Sequence, residues 1–233
     1  MGTTNLTPIQ NFKETIYDNV LNVGTDIAEI SIDALMEDGI VKDIPVIGTI
    51  YKIGKTVTAV KDIVSTKRTL VFAQQVQHQN IGKDVLQKHK EKLIDDPKKF
   101  NKELEVILDY LEKQTGYLKA KILGKFYYLY LSNRCKWSDF GLLADITSSV
   151  SIYDFDMLED LYQKKEYTTK SHSFDHATAK RLDRCSLIDY FNGMPILSSE
   201  GPDKQVLAQI NNIGRIFYEQ GLKGENFKVE ELK

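Results

Sequence analysis

Cysteine, histidine and tryptophan are scarce in this chain, whose 233 residues include two, four and one of them, respectively. Cys135 and Cys185 do not form a Cys-x-x-Cys pair, so the sequence predicts neither a disulfide framework nor a zinc finger. His172 and His176 are four residues apart and, with Asp183 or Cys185, are the best candidate metal ligands that spacing offers. They lack the His-Glu-x-x-His pattern. We therefore predict no metal site and no cofactor.

Histidine is also too rare to support a catalytic arrangement. No Ser-His-Asp or Cys-His set can be assembled from the spacing of the four histidines. His78 and His89 lie among glutamine and lysine residues, which predicts that both are solvated on the surface. We therefore predict no catalytic residue.

Long apolar runs are missing as well. Met1–Gln10 is polar and lacks the apolar stretch of a secretory signal, which predicts a cytoplasmic protein. The most apolar segment, residues 44–64, contains Lys52, Lys55 and Lys61, whereas a spanning helix needs about 20 apolar residues. A helix with a lysine-rich polar side can instead lie on a membrane surface or against a partner. These three lysines are therefore our candidate membrane or partner contacts.

Net charge is close to zero, at −2, but it is distributed unevenly. Residues 1–43 carry two basic and eight acidic side chains, residues 44–134 carry 17 and nine, and residues 135–233 carry 12 and 16. A basic middle third thus lies between two acidic flanks. Either the acidic N-terminal part packs near it, or the middle helices meet an anionic partner such as lipid headgroups or nucleic acid.

The stretch 48–56 is similar to a phosphate-binding loop, which would indicate a nucleotide-dependent enzyme. The template places four residues between its two glycines, whereas five separate Gly48 from Gly54. No convincing strand precedes the stretch, and no alternation of strands and helices surrounds it. We interpret it as a helix started by Asp43 and Pro45, whose glycines permit close approach of another helix. The chain is therefore not predicted to be an enzyme.

Apolar residues recur at helical spacing through the first two thirds of the chain. Asp96 and Pro97 mark a helix start, with Asp as the cap and Pro in the first turn. The aromatic residues of 126–130 and Trp137 fall at core positions of such helices. The pattern predicts an α-helical region over residues 1–134. The helices predicted from Val46 onwards are Val46–Ala73, Asp84–Ile94, Lys98–Gln114, Tyr117–Asn133, Ser138–Val150 and Phe155–Tyr162.

The last third of the chain changes character. Ser173–Phe191 is predicted to be a helix, and two short strands around residues 194–197 and 205–209 form a hairpin. A final helix, Ile213–Gln220, follows an asparagine cap. Helix, hairpin and helix are the layout with which winged-helix proteins end. The predicted fold is therefore mainly α, with a helical region joined to a winged-helix-like region over residues 135–233.

The predicted helix before the hairpin carries the candidate DNA contacts Lys180, Arg181 and Arg184. In a winged-helix protein this helix can enter the major groove. Acidic residues share the helix, and DNA-binding faces are usually basic. The balance favours protein contacts or packing over DNA binding.

The string from Asp38 to Thr49, with Lys67, Arg68 and Phe72 downstream, resembles a group of uncharacterised bacterial helical proteins. The later order Asp96-Pro97-Lys98, Gly124-Lys125-Phe126 and Ser138-Asp139-Phe140 is similar as well. The resemblance implies an association with mobile elements and phage defence, and a winged-helix-like tail as in some abortive-infection proteins. It transfers no functional residue.

These observations together predict a non-enzymatic protein that acts by binding a protein partner, in phage defence or superinfection immunity. A winged-helix DNA-binding regulator is the first alternative. A membrane-active effector that uses residues 44–64 is the second.

Overall fold

The computed structural model describes residues 60–78, 85, 87–89, 91, 96–168, 174–191, 196–198 and 201–225. Helices predominate among them, and the strands form one small antiparallel sheet. The prediction of a mainly α fold is therefore confirmed. The chain divides into two units, the first ending at Ala144 and the second beginning at Asp145. The predicted domain boundary, between residues 134 and 135, precedes this division.

The first unit is helical. Asp96 caps its second helix as predicted, because the Asp96 side chain accepts a hydrogen bond from the Lys99 backbone amide and Pro97 occupies the first turn. Residues 85, 87–89 and 91 are also helical. The helices are α1 (Val60–His78), α2 (Pro97–Lys113), α3 (Tyr117–Leu131) and α4 (Trp137–Ser149), the last of which ends in the second unit.

Helices α1 and α3 approach each other closely at Gly124. A Cβ atom there would lie 2.9 Å from the Phe72 carbonyl oxygen and 3.0 Å from the Gln75 Cβ, so only glycine fits without a shift of the backbone. The glycines predicted for close helix packing, Gly48 and Gly54, lie outside the described residues. The core around this contact is formed by apolar side chains that are almost fully buried, among them Leu70, Phe72, Val76, Leu104, Ile107, Ile122, Leu123 and Phe126.

Arg68 of α1 forms hydrogen bonds with the C-terminal end of α2. Its Nη1 donates to the carbonyl oxygens of Leu111 at 3.3 Å and Glu112 at 3.2 Å, and also to that of Gln114. The last carbonyls of a helix have no partner within the helix, and a basic side chain can satisfy them. The guanidinium thus fixes the end of α2 against α1.

The second unit combines short helices with the sheet. After the last residues of α4 it contains a 3-10 turn, Ile152–Asp154, and its last described element is a π-helical turn, Tyr218–Leu222. The elements between them are α5 (Phe155–Lys164), β1 (Glu166–Thr168), α6 (His176–Arg184), β2 (Ile188–Tyr190), β3 (Ile196–Ser198), β4 (Gly201–Ile210) and α7 (Asn212–Phe217).

Strand β4 is the centre of the sheet. Its Ala208 is opposite both Tyr167 of β1 and Tyr190 of β2, so these two strands lie on its two sides. Strand β3 pairs with the first half of β4, with Ile196 opposite Val206, and follows β2 along the same side. All pairs are antiparallel, and β3 with β4 confirms the predicted hairpin.

The helix predicted over Ser173–Phe191 is wrong at its C-terminal end. Helix α6 stops at Arg184, and Ile188–Tyr190 forms β2 instead. The cause is local, because Ser186 has a φ of 60°, a left-handed conformation that a helix cannot continue through. The predicted final helix is confirmed, with the Asn211 side chain accepting from the Gly214 amide at its start.

The predicted membrane segment lies mostly outside the described residues. Lys52 and Lys55 belong to the part that is not described, and Lys61 is placed only by its backbone, in α1. Over the described ranges, no helix is both long and apolar enough to cross a bilayer. Contact of residues 44–64 with a membrane surface or a partner stays a prediction.

Candidate functional site

The first unit buries an acidic side chain, Glu103 of α2, whose residue surface is only 5% exposed. Its Oε1 accepts a hydrogen bond from the Tyr127 hydroxyl at 2.8 Å and lies 3.0 Å from the His89 Nε2. Its Oε2 accepts from the Tyr130 hydroxyl at 3.1 Å. A buried carboxylate is costly unless it is hydrogen-bonded. Three donors on two oxygens provide that compensation.

Helical spacing brings these donors together. Tyr127 and Tyr130 are three residues apart on α3, so both hydroxyls point to the same side of that helix. His89 belongs to the helical residues that precede α2 and meets Glu103 from another direction. Because a carboxylate only accepts, the imidazole Nε2 is the donor in this pair. The prediction that His89 is solvated is wrong, since only 12% of its side chain is exposed.

A pocket of about 430 Å³ opens beside Glu103. Four of its lining residues follow one another along α2 at the spacing of a single helix face. The remaining two come from the end of α3 and the start of α4. The lining consists of Lys99, Lys102, Glu103, Val106, Tyr130 and Trp137.

The aromatic wall of the pocket is held by ring contacts. The Tyr130 ring lies 5.1 Å from that of Trp137, measured between centroids, and 5.2 Å from the imidazole of His89. Trp137 in turn contacts the buried Phe140 at 5.0 Å. Edge-to-face and tilted pairs at these distances are favourable geometries for aromatic side chains. The prediction that the aromatic residues of 126–130 and Trp137 lie at core positions is confirmed for Phe126 and Tyr127, whereas Tyr128, Tyr130 and Trp137 are only half-buried.

The surroundings of Tyr130 keep its hydroxyl protonated. Burial, and then the charge of Glu103 and its hydrogen bond, raise the pKa of Tyr130 well above the usual value. Tyr130 therefore retains its proton and remains a donor to Glu103 at any ordinary pH. Lys99 and Lys102 are exposed at the rim of the pocket. The site thus has a neutral aromatic wall, a fully hydrogen-bonded carboxylate and a cationic rim.

Among the residues that the structure describes, no group of three His, Cys, Asp or Glu side chains is placed to hold an ion. Of the two histidines considered above, His172 lies outside the described residues, and His176 Nδ1 is 2.8 Å from the Tyr190 hydroxyl. The expectation that the chain needs no cofactor stays a prediction.

The predicted DNA contacts lie on α6 of the second unit, and Arg181 has a structural partner there. Its guanidinium donates hydrogen bonds to the carboxylate of Asp154, from Nη2 to Oδ1 at 2.6 Å and from Nε to Oδ2 at 3.0 Å. Nη2 also donates to the Thr178 hydroxyl at 2.6 Å. Lys180 and Arg184 are exposed. All three residues are therefore exposed, and Arg181 in addition joins α6 to the 3-10 turn through Asp154.

Sequence reasoning missed Glu103, the residue on which the site depends. A signal was available: Glu103 lies three residues after Phe100 and four before Ile107, both of which belong to the apolar stripe of α2. A charged residue inside such a stripe is expected to be buried with partners. Its partners Tyr127 and Tyr130 could not be identified, because they are aromatic residues of another helix with no distinguishing pattern.

Comparison of this chain with protein-family models, with curated proteins and with solved structures finds no match. The resemblance to bacterial helical proteins of mobile elements therefore stays a prediction.

Proposed function

We propose that this protein acts by binding another protein, and that the pocket beside Glu103 receives a side chain of that partner. The observation that carries the proposal is the pocket itself, which joins Trp137 and Tyr130 to two exposed lysines. Tryptophan and tyrosine dominate the binding energy of protein interfaces when they line a pocket that excludes water. A polar or charged rim around an apolar centre is the usual anatomy of such interfaces.

Rigidity supports the same proposal. The Tyr130 ring is fixed by its hydrogen bond to Glu103 and by its contacts with His89 and Trp137. A pocket that is already formed costs less conformational entropy on binding than one that must be assembled. The hydrogen bonds of Glu103 therefore serve to hold the aromatic wall in shape for a partner.

Site-specific photo-crosslinking in the host cell tests this function. A photoreactive phenylalanine analogue replaces Lys102 at the rim, and a matched chain carries it at Glu105, an exposed α2 position that does not line the pocket. We expect a discrete crosslinked protein from position 102 only, and its loss when Trp137→Ala is added. Equal crosslinking from both positions, or crosslinking that Trp137→Ala leaves unchanged, contradicts the proposal.

The proposed setting is phage defence or superinfection immunity, for which the support is the resemblance to helical proteins of mobile elements. If it is right, expression of the protein in a sensitive host lowers phage plating efficiency, and Trp137→Ala restores it. Leu142→Ala is the control, because Leu142 is an exposed residue of the same helix outside the pocket lining. Undiminished plating with the unaltered protein counts against this setting.

A winged-helix DNA regulator is the second candidate, and two observations favour it. Helix α6 is followed by β2, by the hairpin β3–β4 and by α7, which is the predicted order of helix, hairpin and helix with one additional strand. Lys180 and Arg184 are exposed on α6. Duplex DNA binding that weakens steeply with salt, and that Lys180→Ala with Arg184→Ala abolishes, is the expected result. Binding that survives the double substitution rejects this candidate.

A further inference from the structure

We infer, on the basis of the proposed function, that the partner segment is acidic and inserts an aromatic side chain into the pocket between Val106, Tyr130 and Trp137. The chemistry of the pocket lining and the charge of its two rim lysines carry this inference.

Charge favours an acidic segment. Lys99 and Lys102 are exposed at the rim, and Glu103 already accepts hydrogen bonds on both oxygens. A cationic side chain would therefore be brought next to two positive charges, whereas carboxylates beside the pocket would pair with them. Residues 44–134 as a whole carry 17 basic and nine acidic side chains, a net charge of the same sign as the rim. Complementary charge speeds association and rejects partners of the wrong sign.

Shape and surface favour a single aromatic ring. The walls of Val106, Tyr130 and Trp137 offer apolar and π surface. A volume of about 430 Å³ admits one aromatic side chain together with the neighbouring atoms of its segment. An inserted ring can stack against Trp137 or meet its edge, as Tyr130 and Phe140 already do.

The protein carries its own probe for this site, because Trp137 is its only tryptophan. Fluorescence excited selectively from tryptophan, and not from the 12 tyrosines, therefore reports on the pocket when the added peptides lack tryptophan. The probes are three capped pentapeptides: a phenylalanine flanked by two glutamates on each side, an alanine flanked in the same way, and a phenylalanine flanked by lysines. We expect the first to change the Trp137 emission and to bind at least about tenfold more tightly than the other two.

Two variants assign the effect to the rim. Lys99→Gln with Lys102→Gln removes both charges, and affinity for the acidic phenylalanine peptide falls about tenfold, the size expected for two exposed ion pairs. Lys98→Gln is the matched control, since Lys98 is exposed on the same turn but does not line the pocket. Added salt weakens binding to the unaltered protein and has less effect on the double variant. Unchanged affinity in the double variant overturns the inference.

Other occupants give distinguishable results. Equal or tighter binding of the lysine-flanked peptide overturns the acidic assignment, and equal binding of the alanine peptide overturns the aromatic one. Binding of phenylacetate as tightly as the peptide indicates a small aromatic acid and rejects a protein segment. If no peptide binds while Trp137-dependent crosslinking persists, this inference fails and the proposed function stands. If that crosslinking is also absent, both fail.

Discussion

Both units of this protein bury a carboxylate, and they stabilise it in different ways. In the helical first unit, Glu103 accepts from two tyrosine hydroxyls and a histidine. In the second unit, Asp154, only 1% exposed, is held by the permanently charged guanidinium of Arg181. The free-energy problem is the same, because a charge taken out of water needs hydrogen bonds or an opposite charge. What differs is the surface that each solution leaves behind.

The hydrogen bonds of Glu103 to two tyrosines leave an aromatic wall beside an open pocket. The ion pair of Asp154 engages Arg181, which the sequence had suggested as a DNA contact. Tyr130 is fixed by Glu103 and faces the pocket at the same time. Arg181 fastens α6 to the 3-10 turn, although 49% of its side chain remains exposed. A cationic residue on a predicted recognition helix is therefore not by itself evidence of a ligand, because an acidic residue of the same chain can be its partner.

Tyrosine also meets carboxylates in the second unit, but nearer the surface. The Tyr167 hydroxyl donates to Asp160 at 2.6 Å, and the Tyr218 hydroxyl donates to Glu159 at 2.8 Å. Burial, followed by the hydrogen bond to Glu159, raises the pKa of Tyr218 to about 12. These pairs tie α5 to β1 and to the C-terminal π-helical turn. Only in the first unit does such a pair border the described pocket.

The largest loss of stability is expected from removing the ion pair between Arg181 and Asp154. Arg181→Ala leaves Asp154 buried without its ion pair, a loss of about 3–5 kcal/mol for a fully buried pair. Because half of the Arg181 side chain is in solvent, we expect about 2–3 kcal/mol of lost unfolding free energy. Urea denaturation followed by circular dichroism measures it. Arg184→Ala on the same helix serves as control and stays within about 0.5 kcal/mol; equal effects would contradict a structural role for Arg181.

A smaller loss of stability is expected from removing the carboxylate that accepts the two tyrosine hydrogen bonds. Glu103→Ala removes the acceptor of the Tyr127 and Tyr130 hydroxyls and opens a small cavity, which costs about 2 kcal/mol. Glu103→Gln, which keeps an acceptor oxygen, costs less. Urea denaturation measured by Trp137 fluorescence follows this unit directly. The exposed Glu105 is the control for substitution to alanine. If Glu103→Ala is neutral, the hydrogen-bonded carboxylate does not support the aromatic wall.

The smallest effect concerns acid. A hydrogen bond from Lys164, and then one from Tyr167, hold the pKa of Asp160 below its usual value. The Thr178 hydroxyl does the same for the pKa of Asp175, the cap of α6. A lowered folded-state pKa contributes stability that is present above the unfolded value of about 4 and is lost as pH falls below it. We therefore expect stability of the second unit to decline below about pH 4.

Asp175→Asn tests that expectation, because asparagine still caps a helix but does not titrate. The difference in unfolding free energy between pH 6 and pH 3, followed by circular dichroism, should be smaller in this variant than in the unaltered protein. An unchanged difference would show that the Asp175 carboxylate does not contribute to the acid response.

Local signals in the sequence determined most of the helices and the hairpin. Asp96 with Pro97 started α2, an asparagine cap started α7, and the turn before β4 joined two short strands. Each of these features depends on residues within a few positions of one another, so periodicity and capping chemistry suffice to predict it. The end of α6 was missed because Ser186 ends it in a left-handed conformation, which glycine or asparagine usually marks and serine does not.

Only the tertiary structure decided which charged residues are internal. Glu103 meets Tyr127 and Tyr130 across 24 and 27 residues, and Arg181 meets Asp154 across 27. No local pattern specifies such pairs, since they arise when helices pack and buried charges find donors or counterions. The sequence by itself therefore determined that this is a mainly helical chain with a C-terminal hairpin. The contacts of Glu103 on α2 with Tyr127 and Tyr130 on α3 decided where the proposed binding pocket lies.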